Sequence, residues 1–181
     1  MKDLLEKNKS KKVPPKSSKT AFQSKAASPK VRPKPEKPIS GVVLSCIYGP
    51  SNKDSLPVLT SSMLIKSLKA GLVVKELEAL RSSLDLPMDR LAPMLGISNT
   101  TLHRRKSTGR LDPAESDRVL RFARLMGTAV DVLENEQNAR SWLTSPQFGL
   151  GGAVPLEYAG TEVGAREVED LLGRIAYGVY S

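Results

Sequence analysis

Gly96, set between Leu95 and Ile97 and followed by Ser98, constrains this chain more than any other position. Leu91 and Ala92 precede it and Leu102 follows. A helix-turn-helix needs this arrangement: a small residue where the second helix crosses the first, glycine at the turn, and apolar side chains that lock both helices onto a core. The stretch from Met88 to Lys106 therefore reads as two short helices meeting at a sharp turn, a pattern more specific than basic charge alone.

Ser98 is a natural cap for the second helix. The outward positions are then Asn99, Thr100, Thr101, His103, Arg104, Arg105 and Lys106. Asn and Arg offer bidentate hydrogen bonding to base edges, while Thr and Lys hold the phosphate backbone. With Ser98, these residues form a candidate DNA-binding site; the alternative is a solvated polar face on an ordinary helix. Two positions depart from the pattern. Pro93 falls inside the first helix, where a regular interior loses about 3 kcal/mol, so that helix starts late or bends. Arg105 stands where many such motifs carry an apolar lock. Either departure also fits a degenerate motif kept for packing.

Helical periodicity extends on both sides. Met63, Leu64 and Leu68 lead to a glycine stop at Gly71, and Val74, Leu77, Leu80 and Leu84 make one stripe. Asp112-Pro113-Ala114-Glu115 combines a cap, a proline suited to the first helical position and the glutamate of a capping box. The helix it opens runs towards Leu133, with Val119, Phe122, Ala123, Met126, Val130 and Leu133 on its apolar face. Arg118, Arg121 and Arg124 lie among or beside that face. Asn135 caps a further helix through Trp142 and Leu143. Gly149-Leu150-Gly151-Gly152 reads as a turn, and Pro155 starts a short helix. The last helix carries Val168, Leu171, Leu172, Ile175 and Val179 on one stripe, with Arg166, Glu167, Glu169, Asp170 and Arg174 facing away. No alternating strand pattern follows residue 60, so an all-α fold is expected. Val42 to Tyr48 is ambiguous and admits a short strand ended by Gly49–Pro50.

The net charge of +9 is unevenly placed: residues 1–40 hold 12 of the 28 basic and 3 of the 19 acidic residues, leaving 16 of each sign elsewhere. That segment carries Pro14, Pro15, Pro29, Pro33, Pro35 and Pro38 and too little apolar area to offset chain entropy. A disordered tail and linker over 1–58 is expected. It is read as a solubilising tail, as an upstream extension with the true start at Met63 or an earlier codon, or as an arm that hugs phosphates and adds salt-sensitive affinity. The lone cysteine, Cys46, excludes an intrachain disulfide and fits a reducing cytoplasm. Gly41 to Tyr48, the longest apolar stretch, is far short of the ~20 residues that span a bilayer. No signal peptide and no membrane partner are expected.

One histidine and one cysteine do not make the usual Cys/His metal site. His103 sits in the proposed recognition helix, a poor place for a Ser-His-Asp arrangement. The glycine-rich turn lacks dinucleotide spacing and a preceding strand. Glu167, Glu169 and Asp170 read as a solvated face. The chain is therefore expected not to be an enzyme, with no catalytic residue, metal or cofactor.

The runs Leu95-Gly96-Ile97-Ser98-Asn99-Thr100-Thr101-Leu102-His103-Arg104-Arg105-Lys106 and Gly109-Arg110-Leu111-Asp112-Pro113-Ala114-Glu115-Ser116-Asp117-Arg118 resemble the Xre/MbcA/ParS antitoxin family. A sharper C-terminal set does so too: Ala139, Trp142-Leu143, Pro146, Leu150-Gly151-Gly152, Pro155-Leu156, Thr161, Gly164 and Val168 through Gly178. The likeness covers about residues 60–181. It implies an Xre-like helix-turn-helix domain over 59–133 that binds its own operator DNA, and a small helical toxin-binding domain over 134–181. It further implies a homodimer and a RES-domain toxin partner, of a class that consumes NAD or transfers ADP-ribose from it. In the family the antitoxin's C-terminal end approaches the toxin's active-site cleft. Carried over, the toxin-binding residues are Trp142, Arg174, Tyr177, Gly178, Val179, Tyr180 and Ser181. Trp142 has a plain core reading as well, as does the apolar stripe of the last helix. The glycine-rich turn and the short helix after it suit a rigid docking surface. The rival readings are a stand-alone transcriptional regulator without a toxin, and an interaction protein whose helix-turn-helix no longer meets DNA; the neighbouring gene separates the antitoxin reading from the stand-alone regulator.

Overall fold

The computed structural model describes residues 41–49 and 59–179, all within the compact unit Lys37–Ser181. The tail expected over residues 1–40 lies outside the described residues, as do residues 50–58, Tyr180 and Ser181. The helices are α1 (Val42–Tyr48), α2 (Ser61–Ala70), α3 (Val74–Leu84), α4 (Met88–Met94), α5 (Asn99–Thr108), α6 (Pro113–Leu133), α7 (Glu136–Thr144), α8 (Pro155–Tyr158) and α9 (Glu162–Ala176), with a 3-10 turn at Phe148–Leu150. Among the described residues, strand-like pairing is confined to two isolated bridges, Val73 with Arg110 and Gln147 with Ala153. The fold is all-α, as the periodicity implies.

α6 is the axis on which α1, α2, α3, α7 and α9 pack. Its start is built locally. The Asp112 carboxylate accepts from Ala114 N at 3.0 Å, and Glu115 Oε2 accepts from Asp112 N at 2.8 Å. These bonds satisfy donors that the first turn leaves open, and Pro113 at the first position removes one. Along the helix, Val119, Phe122, Ala123, Leu125, Met126 and Ala129 are buried. This burial is broader than a single stripe because neighbours cover α6 on several sides.

The sequence expectation fails at α1. Val42 to Tyr48 is a helix and belongs to the core rather than to a strand or a linker. Val42, Val43 and Ile47 are buried, which stabilises by about 1.5–3 kcal/mol per fully buried side chain. Its N-terminal amides are capped by a residue 35 positions away: the buried Glu76 carboxylate accepts from Gly41 N at 2.6 Å and from Val43 N at 2.8 Å. α1 lies against α6 at Gly127, where an added Cβ would come within 2.6 Å of the Cys46 carbonyl oxygen. Tertiary burial and a tertiary cap outweigh the small helix penalty of the β-branched residues.

Candidate functional site

The turn between α4 and α5 is closed by the backbone. Gly96 has φ +66°, a region that favours glycine. Its amide donates to the Pro93 carbonyl at 2.8 Å, and the Ile97 amide donates to the Ala92 carbonyl at 2.8 Å. This is the paired bonding of a Schellman end, with Ile97 buried beneath it. Pro93 is tolerated because α4 has only seven residues and the proline ring is exposed; a single i to i−4 bond is lost.

α5 starts where expected. Ser98 Oγ accepts from Thr101 N at 3.2 Å and donates to Thr101 Oγ1 at 2.9 Å. Ser98, Asn99, Thr100, His103, Arg104 and Lys106 are exposed, while Thr101 is half-buried and engaged with Ser98. Leu102 is half-buried against the core.

Arg105 departs from the outward reading. Its Nε donates to Glu115 Oε2 at 2.8 Å and its Nη2 to Glu115 Oε1 at 3.0 Å, with Asp112 Oδ2 3.7 Å away. The hydrogen bonds to Glu115 raise its pKa further above the ordinary arginine value. The side chain thus occupies the place of the apolar lock, and Glu115 of α6 supplies its partner. A second arginine fixes the other half of the motif: Arg118 Nε donates to the Leu95 carbonyl at 2.5 Å, beside the turn. α6 therefore holds α4 and α5 together and leaves one polar, basic face of α5 to solvent.

The C-terminal segment offers a different surface. Asn135 caps α7 by accepting from Gln137 N at 2.7 Å and Asn138 N at 3.2 Å. Arg140 of α7 donates to the Ser83 carbonyl at 2.6 Å, tying α7 to α3. Trp142 is half-buried and packs on the core. On α9, Val168 and Leu172 are buried and Leu171 and Ile175 half-buried; Val179, expected on the same stripe, instead lies beyond the helix, which stops at Ala176, and is exposed. The far side is only partly a solvated face. Glu169 lies 3.8 Å from Arg124 and Glu162 lies 3.2 Å from Arg121, whereas Glu167 and Asp170 are exposed. Arg174, expected to face away, is half-buried, and its buried Nε has no acceptor among the described residues.

α9 ends in a second paired glycine stop. Gly178 N donates to the Ile175 carbonyl at 3.1 Å and Val179 N to the Arg174 carbonyl at 2.9 Å, with Gly178 at φ +67°. Tyr177 and Val179 are thereby held out in solvent. Tyr180 and Ser181 fall outside the described residues. Sequence reasoning missed Phe148, whose side chain is fully exposed; the signal was an aromatic residue leading directly into a glycine-rich turn. Among the described residues, no helix is long and apolar enough to cross a membrane.

Two family models match the chain. The antitoxin Xre-like helix-turn-helix domain matches residues 63–124, and the antitoxin Xre/MbcA/ParS C-terminal toxin-binding domain matches residues 128–178. "Antitoxin Xre" of Yersinia enterocolitica is 36% identical over 128 residues, covering 70% of this chain and 86% of that protein. "Antitoxin Xre" of Photorhabdus laumondii is 33% identical over 116 residues, 63% of this chain and 78% of that protein. "Prs ADP-ribosylating antitoxin" of a Sphingobium species is 24% identical over 124 residues, again 63% and 78%.

Proposed function

The chain belongs to the Xre/MbcA/ParS antitoxin family, and on that premise we propose that it neutralises a RES-domain toxin by binding it and, as a homodimer, represses its own operon. One observation carries the reading: two unlike surfaces stand on one compact unit. The polar face of α5 falls within the helix-turn-helix match, and the exposed apolar groups around Phe148 and Tyr177 fall within the toxin-binding match. The name of the Sphingobium relative, which couples an antitoxin with ADP-ribosylation, supports a toxin that acts on NAD.

On the DNA side, α5 enters the major groove. Asn99 and Arg104 read base edges, Thr100 and Lys106 hold phosphates, and Arg105 acts through Glu115 by fixing the pose of the helix. The basic residues 1–40 add a salt-sensitive phosphate arm. On the toxin side no chemistry is required of this chain. The end of α9 and the residues Tyr177, Gly178, Val179, Tyr180 and Ser181 approach the toxin's cleft, and occupation of that cleft denies NAD entry. The protein works in the cytoplasm as a non-enzymatic blocker.

Co-purification with the protein encoded beside its gene, followed by a mobility shift on its own promoter, tests the reading. A stable complex with a RES-domain neighbour and a shifted promoter are expected. A promoter shift without capture of the neighbour supports the stand-alone regulator instead.

A further inference from the structure

An isolated exposed apolar side chain is ordinary on a protein surface. Phe148 differs in being fully exposed on a turn whose backbone is firmly held. The turn that carries it is closed at its base, where Gln147 N donates to the Ala153 carbonyl at 3.0 Å and Gly152 N to the Gln147 carbonyl at 2.9 Å. Gln147 Nε2 donates to the Trp142 carbonyl at 2.9 Å and to the Ser145 carbonyl at 3.1 Å, which ties the turn to the end of α7. Gly149 is pressed onto α9, where a Cβ would lie 2.6 Å from Leu171 Cδ1. These bonds fix the backbone on which the ring stands, while the ring itself projects fully into water. A partner that covers it removes its whole apolar surface from water and has no turn left to order, which favours a dominant interface residue.

The neighbourhood extends the patch and gives it a polar edge. From Leu171, Ile175 stands four residues further along α9 on the same face, followed by the exposed Val179. Arg174 stands three residues from Leu171, carrying a positive charge and the buried Nε without an acceptor.

We propose that Phe148 is the anchor by which this chain docks its toxin, the ring entering an apolar pocket whose rim carries a carboxylate that pairs with Arg174. The inference rests on the toxin-binding reading above. The occupant is taken to be the toxin because the whole patch up to Gly178 lies within the toxin-binding match over residues 128–178.

The test uses the full chain and the protein encoded beside its gene, silenced by an active-site substitution so that it accumulates. Affinity is measured by calorimetry for the unchanged chain, Phe148→Ala and Arg174→Gln, with self-association followed by light scattering. Phe148→Ala is expected to weaken binding by at least about thirty-fold, with melting temperature and promoter shift unchanged. Arg174→Gln is expected to weaken it about tenfold. If the unchanged chain does not bind, the toxin-binding reading fails and the proposal with it. If it binds and Phe148→Ala loses less than about fivefold, the proposal alone is overturned. It is equally overturned if Phe148→Ala alters self-association while toxin affinity is kept, because the ring then serves a second copy. An unchanged affinity for Arg174→Gln removes the carboxylate rim.

Discussion

Arg105 of α5 and Glu115 of α6 form a two-bonded ion pair, Nε to Oε2 at 2.8 Å and Nη2 to Oε1 at 3.0 Å, on the hidden side of the helix whose other side carries Arg104 and Lys106. The same Glu115 carboxylate closes the capping box of α6 through Asp112 N. A single acidic group thus sets both the start of the central helix and the pose of the candidate recognition helix. Consecutive arginines in one helix have separate tasks: Arg104 faces outward and Arg105 faces the fold.

Promoter binding separates those tasks through its salt dependence. Lys106→Ala, on the same outward face as Arg104, removes a phosphate contact, so the slope of log affinity against log salt is expected to fall in magnitude by about 0.9. Arg105→Met combined with Glu115→Gln removes the ion pair without stranding a buried charge, and glutamine still accepts from Asp112 N. That double variant is expected to keep the slope of the unchanged chain, whatever its absolute affinity. A slope lowered by the same amount in both variants would place Arg105 on the DNA. Fluorescence anisotropy over a salt series makes the comparison.

Gly127 lets α1 lie directly on α6. Gly127→Val brings side-chain atoms against the Cys46 carbonyl and is expected to destabilise the fold by about 1–3 kcal/mol, as overpacking does. Urea unfolding reads the shift, and a stability equal to that of the unchanged chain would mean that α1 is not held there.

The cap of α1 is tested at Glu76. Glu76→Ala leaves the Gly41 and Val43 amides without their acceptor and is expected to lose about 1–3 kcal/mol. Glu76→Gln retains one carbonyl acceptor and is expected to lose less. Hydrogen exchange localises the effect: faster exchange of the Val43 amide in Glu76→Ala than in Glu76→Gln is the expected order, and the reverse would contradict the cap.

Cys46 provides a pH readout of the same packing. Burial is the main reason its thiol pKa is raised, with Glu76 adding to the rise and Arg124 opposing it. The folded state therefore disfavours the thiolate. The thiol's contribution to stability is complete below the pKa of the unfolded thiol and is lost as pH rises through the higher folded value. Alkylation of the native protein by iodoacetamide is expected to turn on at higher pH than in the urea-unfolded chain. Matching pH profiles would contradict the burial of this thiol against α6.

What was legible in the sequence was local. Ser98, Asp112 with Glu115, and Asn135 act as caps because a cap is defined by residues two or three apart. Gly71 and Gly96 end helices for similarly local reasons. What was not legible depends on distant partners. α1 is stabilised by Glu76, 33 to 35 residues away, and its run of Val42, Val43 and Ile47 has no period that distinguishes a short buried helix from a strand. The inward turn of Arg105 depends on a carboxylate ten residues on, across a change of helix. At the candidate toxin surface, the glycines announced a turn, but the close approach of Gly149 to Leu171 depends on a distant partner that no spacing reveals.

On the proposed function, this chain protects cells by occupying another protein. Growth of cells induced for the protein encoded beside its gene, with and without this chain, checks that proposal when intracellular NAD is followed in the same cultures. Arrested growth and falling NAD are expected without this chain, and normal growth and steady NAD with it. Protection is predicted to persist in the Arg104→Ala variant, whose toxin surface is intact. Cells that stay arrested while the full chain accumulates in soluble form would show that it does not protect by binding the toxin.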